Sequence, residues 1–169
     1  GVINYLLAKG ATDWTVTATA GNATLTLKNV ERLAFSDYKL ALDLAGNAGT
    51  VAKILGAVFD SPTLKIEEYR SYAGIGLGLM DSGQYTYATL MQLALDARLG
   101  PNASHGAVVD LLYTNVVGQA PDDATRASFV AMLDGGMKPY ELGILAADHE
   151  LNLLQIDLTG LQLNGLGFV

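Results

Sequence analysis

Apolar and polar residues alternate along the first quarter of the chain and recur every three to four positions after it, so two kinds of structure are expected. In "WTVTATAGNATLTL", Trp14, Val16 and Ala18 alternate with Thr15, Thr17 and Thr19, and beyond Gly21-Asn22 the residues Leu25 and Leu27 alternate with Thr24 and Thr26. That is the pattern of a hairpin, and Thr and Val suit a half-buried pleated surface. "VERLAFSDYKLALDL" continues it, with Val30, Leu33 and Phe35, a turn at Ser36-Asp37, and then Leu40, Leu42 and Leu44. Three or four short antiparallel strands are predicted.

The period changes at "AGNAGT", Ala45 to Thr50. Gly and Asn punctuate there, and Thr50 can cap a helix. "VAKILGAVF", "YAGIGLGLM", "YATLMQLALDARL", "HGAVVDLLYTNVVG", "DDATRASFVAML" and "YELGILAADHEL" each carry an apolar stripe of helical period. The expected fold is α+β and mostly α: a short antiparallel β segment over residues 1–45, then a helical bundle with a carboxy-terminal tail over residues 46–169.

The helical part repeats itself. "MDSGQYTYATLMQLALDARL" and "LDGGMKPYELGILAADHEL" align Met80, Asp81, Gly83 and Tyr87 with Leu133, Asp134, Gly136 and Tyr140. With one residue dropped, Leu90, Leu93, Ala94, Asp96 and Leu99 fall on Leu142, Leu145, Ala146, Asp148 and Leu151. Upstream, Val58-Phe59 lies opposite Val116-Val117 and Pro62 opposite Pro121, with a longer joint, Asp60 to Tyr72, in the first copy. Two similar three-helix units are expected, about 51–99 and 106–151, stacked so that each covers the other's apolar face. Gly after each Asp would end a helix in the left-handed conformation, and the Asp would bond local amides. The repeat is expected to be scaffold.

Composition narrows the partners. The chain has 169 residues, half of them apolar, and a formal net charge of −7. A sizeable core can be buried, while binding to nucleic acid or anionic lipid is disfavoured. There is no cysteine, hence no disulfide or thiolate chemistry. No run of about 18 apolar residues suggests a membrane-spanning helix. The opening "GVINYLLAKG" lacks the basic start and long apolar run of a signal peptide, and the chain is expected to be a fragment.

Candidate chemistry is sparse. Asp81, Asp134, Asp122 and Asp123 lie in turns and are the calcium candidates, although neither an EF-hand loop nor a glycine-rich nonapeptide is present. The simpler reading of Pro121 and the Asp pair is a helix start, with acidic charge favoured by the dipole. His105 and His149 lack zinc-site spacing and suit helix ends. No Gly-x-Ser-x-Gly elbow occurs. "GIGLGLM" lacks the Lys of a phosphate loop, and its small residues suit close helix packing. Tyr69, Tyr72, Tyr85, Tyr87, Tyr113 and Tyr140 could line a groove for a glycan, a peptide or a protein partner, or rim the helical core. After Lys138 no Lys or Arg occurs, which suits either a docked tail or a carboxy-terminal address.

Leu112, Tyr113, Val117, Gly118, Pro121, Asp122, Phe129, Leu133, Gly136 and Leu142, within the segment Leu111 to Asn152, resemble the helical domain of unknown function in bacterial extracellular proteins of the repeats-in-toxin type. Asn29 to Leu44 is similar to the strand segment that follows the calcium-binding repeats of such proteins. The resemblance implies export by a type I system that reads an uncleaved carboxy-terminal signal, an extracellular or cell-surface location, and no mapped catalytic residue or required cofactor. The resulting expectation is a non-catalytic carboxy-terminal module that caps an upstream repeat region and mediates surface attachment or self-association. The alternatives are a ligand-binding module with a Tyr-lined helical face, and a small hydrolase that would need a pocket gathering Asp or Glu with His.

Overall fold

The computed structural model describes residues 5–11, 13–19, 23–36 and 38–169. Strands β1 (Tyr5–Lys9), β2 (Trp14–Ala18) and β3 (Thr24–Leu27) form an antiparallel sheet in sequence order. Trp14 pairs with Leu27 and Val16 with Leu25, so the alternating residues share one face. On the other face the hydroxyls of Thr17 and Thr24 lie 3.0 Å apart. The expected turn residues Gly21, Asn22 and Asp37 lie outside the described residues.

Strands β4 (Arg32–Ala34) and β5 (Lys39–Ala41) begin a second antiparallel sheet, and its third strand is β6 (Leu166–Phe168), from the far end of the chain. In place of three or four strands, the described residues of the amino-terminal segment hold five, and a sixth from the carboxy-terminal tail joins the second sheet. β5 separates two cores. Leu40 and Leu42 join Trp14 in a small cluster, whereas Ala41 between them faces the helices, as period-2 alternation requires, and Leu44, beyond the end of the strand, also packs into the helical core.

Helices α1 (Asn47–Phe59), α2 (Ile66–Asp81), α3 (Tyr87–Leu99), α4 (His105–Val117), α5 (Asp123–Asp134) and α6 (Pro139–Ala147) are the six predicted. α7 (Glu150–Gln155) and α8 (Leu158–Asn164) follow them. The long joint is largely helical: a 3-10 turn covers Ser61–Thr63, and α2 has 16 residues against 12 in α5. α6 stops at Ala147, so Leu151, aligned above with Leu99 of α3, belongs instead to α7.

The two units agree in detail. α1 and α4 both have 13 residues and end on a left-handed residue, Asp60 at φ 51° and Gly118 at φ 81°. Gly83 and Gly136 both adopt positive φ after α2 and α5. The first residue of α1 or α4 then meets the last of α2 or α5: Asn47 Nδ2 donates to Asp81 at 2.9 Å, and His105 Nδ1 lies 2.6 Å from Asp134. The one-residue difference falls in the turn before α3 and α6, so Tyr87 corresponds to Pro139, correcting its alignment with Tyr140.

The units face each other; they do not stack as successive repeats. Met91 and Gly143, each the fifth residue of its helix, touch so closely that a Cβ on Gly143 would lie 2.7 Å from Met91 Sδ. Asn115 Nδ2 donates to the carbonyl of Ala57, its own counterpart, at 3.0 Å. Equivalent positions meet one another only around a two-fold axis. α1, α3, α4 and α6 surround that axis, while α2 and α5 pack outside on α1 and α4. No helix among the described residues is long and apolar enough to cross a membrane.

Candidate functional site

The internal symmetry shows where the two units differ, and the differences create two concavities. In the first unit, Gly76 lets α2 lie against α1, because a Cβ there would come within 2.9 Å of Val51 Cγ1. This is the close packing that the small residues of "GIGLGLM" predict. The counterpart of Gly76 is Phe129. Its ring stands between α5 and α4, 6.4 Å from that of Tyr113, and only Leu133 of α5 is buried. An apolar groove of about 170 Å³ remains between α4, α5 and α6.

The deep side of the groove is formed by Val109, Leu112 and Val116 of α4 with Leu142 of α6, all buried. Its mouth carries Leu145, which is 55% exposed, and the ring of His149. The His149 Nδ1 accepts the Leu151 N–H at 3.2 Å, so this residue caps α7 as its place near a helix end suggests. Tyr113 supplies the other polar group of the lining.

The second concavity is polar and measures about 360 Å³. It lies between the end of α3, the segment leading to α4, and the starts of α4 and α6. Gln92, Asp96, Asn102, His105 and Pro139 line it. Asp96 accepts one hydrogen bond, from Gln92 Nε2 at 2.8 Å, and has no cation partner among the described residues. A pocket that gathers Asp with His is therefore present, but His105 Nδ1 is committed to Asp134.

The calcium candidates are occupied in other ways. Asp81 binds the Arg32 guanidinium at 2.7–3.1 Å as well as Asn47, and Asp43 pairs with the same guanidinium. Asp81 and Asp134 thus do not cap local amides as expected. They reach another helix because the last turn of α2 or α5 ends beside the first turn of α1 or α4. Asp122 caps α5 through the Thr125 N–H at 2.7 Å, and that bond holds its carboxyl below the ordinary range. Asp123 lies in the same first turn. Among the described residues, no group of three or more His, Cys, Asp or Glu could hold a metal ion.

The tyrosines do not form one face, which corrects the Tyr-lined groove. Tyr72 packs on Phe59 at 5.1 Å, Tyr85 and Tyr140 lie against the main core, and only Tyr113 reaches the apolar groove. Tyr69 is half-buried, and that burial pushes its hydroxyl pKa up to about 12. Tyr87 donates to Asp148 at 3.2 Å, and burial with that carboxylate raises its pKa. The groove itself could not be read from sequence except through one signal, the exchange of Gly76 for Phe129 between the repeats.

No protein-family model, curated protein or solved structure matches the chain. The resemblance of Leu111 to Asn152 to the helical domain of repeats-in-toxin-type proteins rests on the residues quoted for it alone.

Proposed function

We propose that the chain is a non-catalytic binding module and that the groove between α4, α5 and α6 receives an apolar side chain of a protein or peptide partner. The lining of that groove carries the reading: a buried aliphatic floor, an aromatic wall and an exposed Leu145 at the mouth. Its size selects the occupant. An apolar cavity of about 150 Å³ holds one benzene ring, so about 170 Å³ suits a single Leu- or Phe-sized group. Covering Leu145 would add apolar burial at the rim. Titration of N-acetyl-phenylalaninamide and N-acetyl-leucinamide, followed by methyl NMR, should give saturable shifts at Val116, Leu142 and Leu145. Leu145→Asp should weaken binding at least tenfold without unfolding the chain, since the side chain is exposed. Shifts that fail to saturate, or an undiminished response in the variant, would rule the groove out.

A second reading concerns setting: a module of a secreted or cell-surface bacterial protein that caps an upstream region and carries a type I export signal. The stretch without Lys or Arg after Lys138 supports it, as does the first sheet, whose apolar face leaves Tyr5 46% and Leu25 61% exposed.

A further inference from the structure

The polar cleft has a filled counterpart elsewhere in the same molecule, and the contents of that counterpart identify what the cleft can bind. Asp96 is the tenth residue from the start of α3. The tenth from the start of α6 is Asp148, which caps that helix. Asp148 accepts Lys53 Nζ at 2.5 Å and the Tyr87 hydroxyl at 3.2 Å, with the ammonium 5.2 Å from the centre of the Tyr87 ring. In the other half of the molecule each partner is replaced. Leu111 stands where Lys53 stands, and Pro139 where Tyr87 stands.

The carboxylate has been kept while its cation and the aromatic ring over it have gone, and the space beside Asp96 is open. α3 and α4 accordingly make fewer contacts than their counterparts α6 and α1. The geometry points to a binding site for a primary alkylammonium group, taken by Asp96 as Asp148 takes Lys53. Gln92 holds one carboxylate oxygen in place, and Asn102 and His105 add polar groups to the wall. A charge-assisted N–H···O bond is the interaction that the twin site displays, and the net charge of −7 draws cations toward the protein.

The ammonium could belong to a free amine or to a lysine side chain of another protein. Backbone-amide NMR with n-butylammonium, 1,5-diaminopentane and N-acetyl-lysine methylamide would separate these sources, with butanol as the neutral control. Saturable shifts near Asp96, Asn102 and His105 are expected for the amines, with at least tenfold weaker response to butanol. Tenfold tighter binding of the lysine derivative than of the simple amines identifies a lysine side chain, and the reverse identifies a free amine. Asp96→Asn, which keeps the bond to Gln92, should weaken binding at least tenfold. Leu111→Lys, which restores the lysine of the twin site, should abolish it by filling the cleft. Equal amine binding in Asp96→Asn, or full binding in a folded Leu111→Lys, overturns the inference. The groove between α4, α5 and α6 plays no part in these measurements.

Discussion

Met91 and Gly143 occupy one position of the repeat, yet one is large and the other has no side chain. Two large residues cannot both sit on a two-fold axis, so one half supplies the bulk and the other the space. Gly143→Ala should therefore destabilise by about 1–3 kcal/mol through overpacking. Met91→Ala alone should cost about 2–5 kcal/mol, since the side chain is fully buried, and in that background Gly143→Ala should cost much less than in the parent chain, as denaturant unfolding of the double-mutant cycle would reveal. Strict additivity would remove the contact from the account. The aligned Asp81 and Asp134 illustrate what a sequence shows at this scale: their common turn was legible, with the positive φ of Gly83 and Gly136. Their partners were not, because Arg32, Asn47 and His105 are 49, 34 and 29 residues away.

Periodicity placed the helices well, and it failed where a helix is held by something other than an apolar stripe. α7 is such a case. Its buried residue is Asn152, whose Nδ2 donates to the carbonyls of Ala147 and Lys53 at 2.7 and 3.1 Å. The amide fits only because Gly56 of α1 has no side chain, since a Cβ there would collide with Asn152 Oδ1 and Ile156. Asn152→Ala should cost about 1–3 kcal/mol, because it strips the buried Ala147 carbonyl of this donor and removes the second bond to Lys53. Hydrogen exchange should quicken in α7 and α8 before it does in α1. Uniform loss of protection would show that α7 has no separate stability. The two outer helices differ for a reason also visible in sequence, Gly76 against Phe129, but the groove this opens depends on how α5 rests on α4.

At the scale of the molecule, the last strand closes the chain on its beginning. Ala41 pairs with Leu166, and Leu166 is fully buried beside the helical core. Under the export reading proposed above, a signal that includes Leu166 would be hidden in the folded chain and be read only while this segment is unfolded. Under the export reading, removal of residues 158–169 should abolish secretion through a type I system. Leu166→Ala separates address from fold: it should destabilise by about 2–5 kcal/mol while retaining secretion. Undiminished secretion of the truncated chain, or equal loss in both variants, would discard the address. The acidic surface and the helix lengths argue at this scale as well. They disfavour phosphate backbones as partners and provide no membrane-spanning helix among the described residues.

The sequence by itself determined the class of fold, the division between strand-rich and helical parts, the six main helices, and the existence of two similar units. All of these depend on interactions within a few residues, where the periods of 2 and 3.6 and the turn residues act directly. Tertiary structure decided the rest: that the units meet about a two-fold axis, that β6 returns to β5, and that Asp148 holds a lysine while Asp96 faces an open cleft. Such contacts join residues tens of positions apart, and they arise only when whole apolar faces find each other.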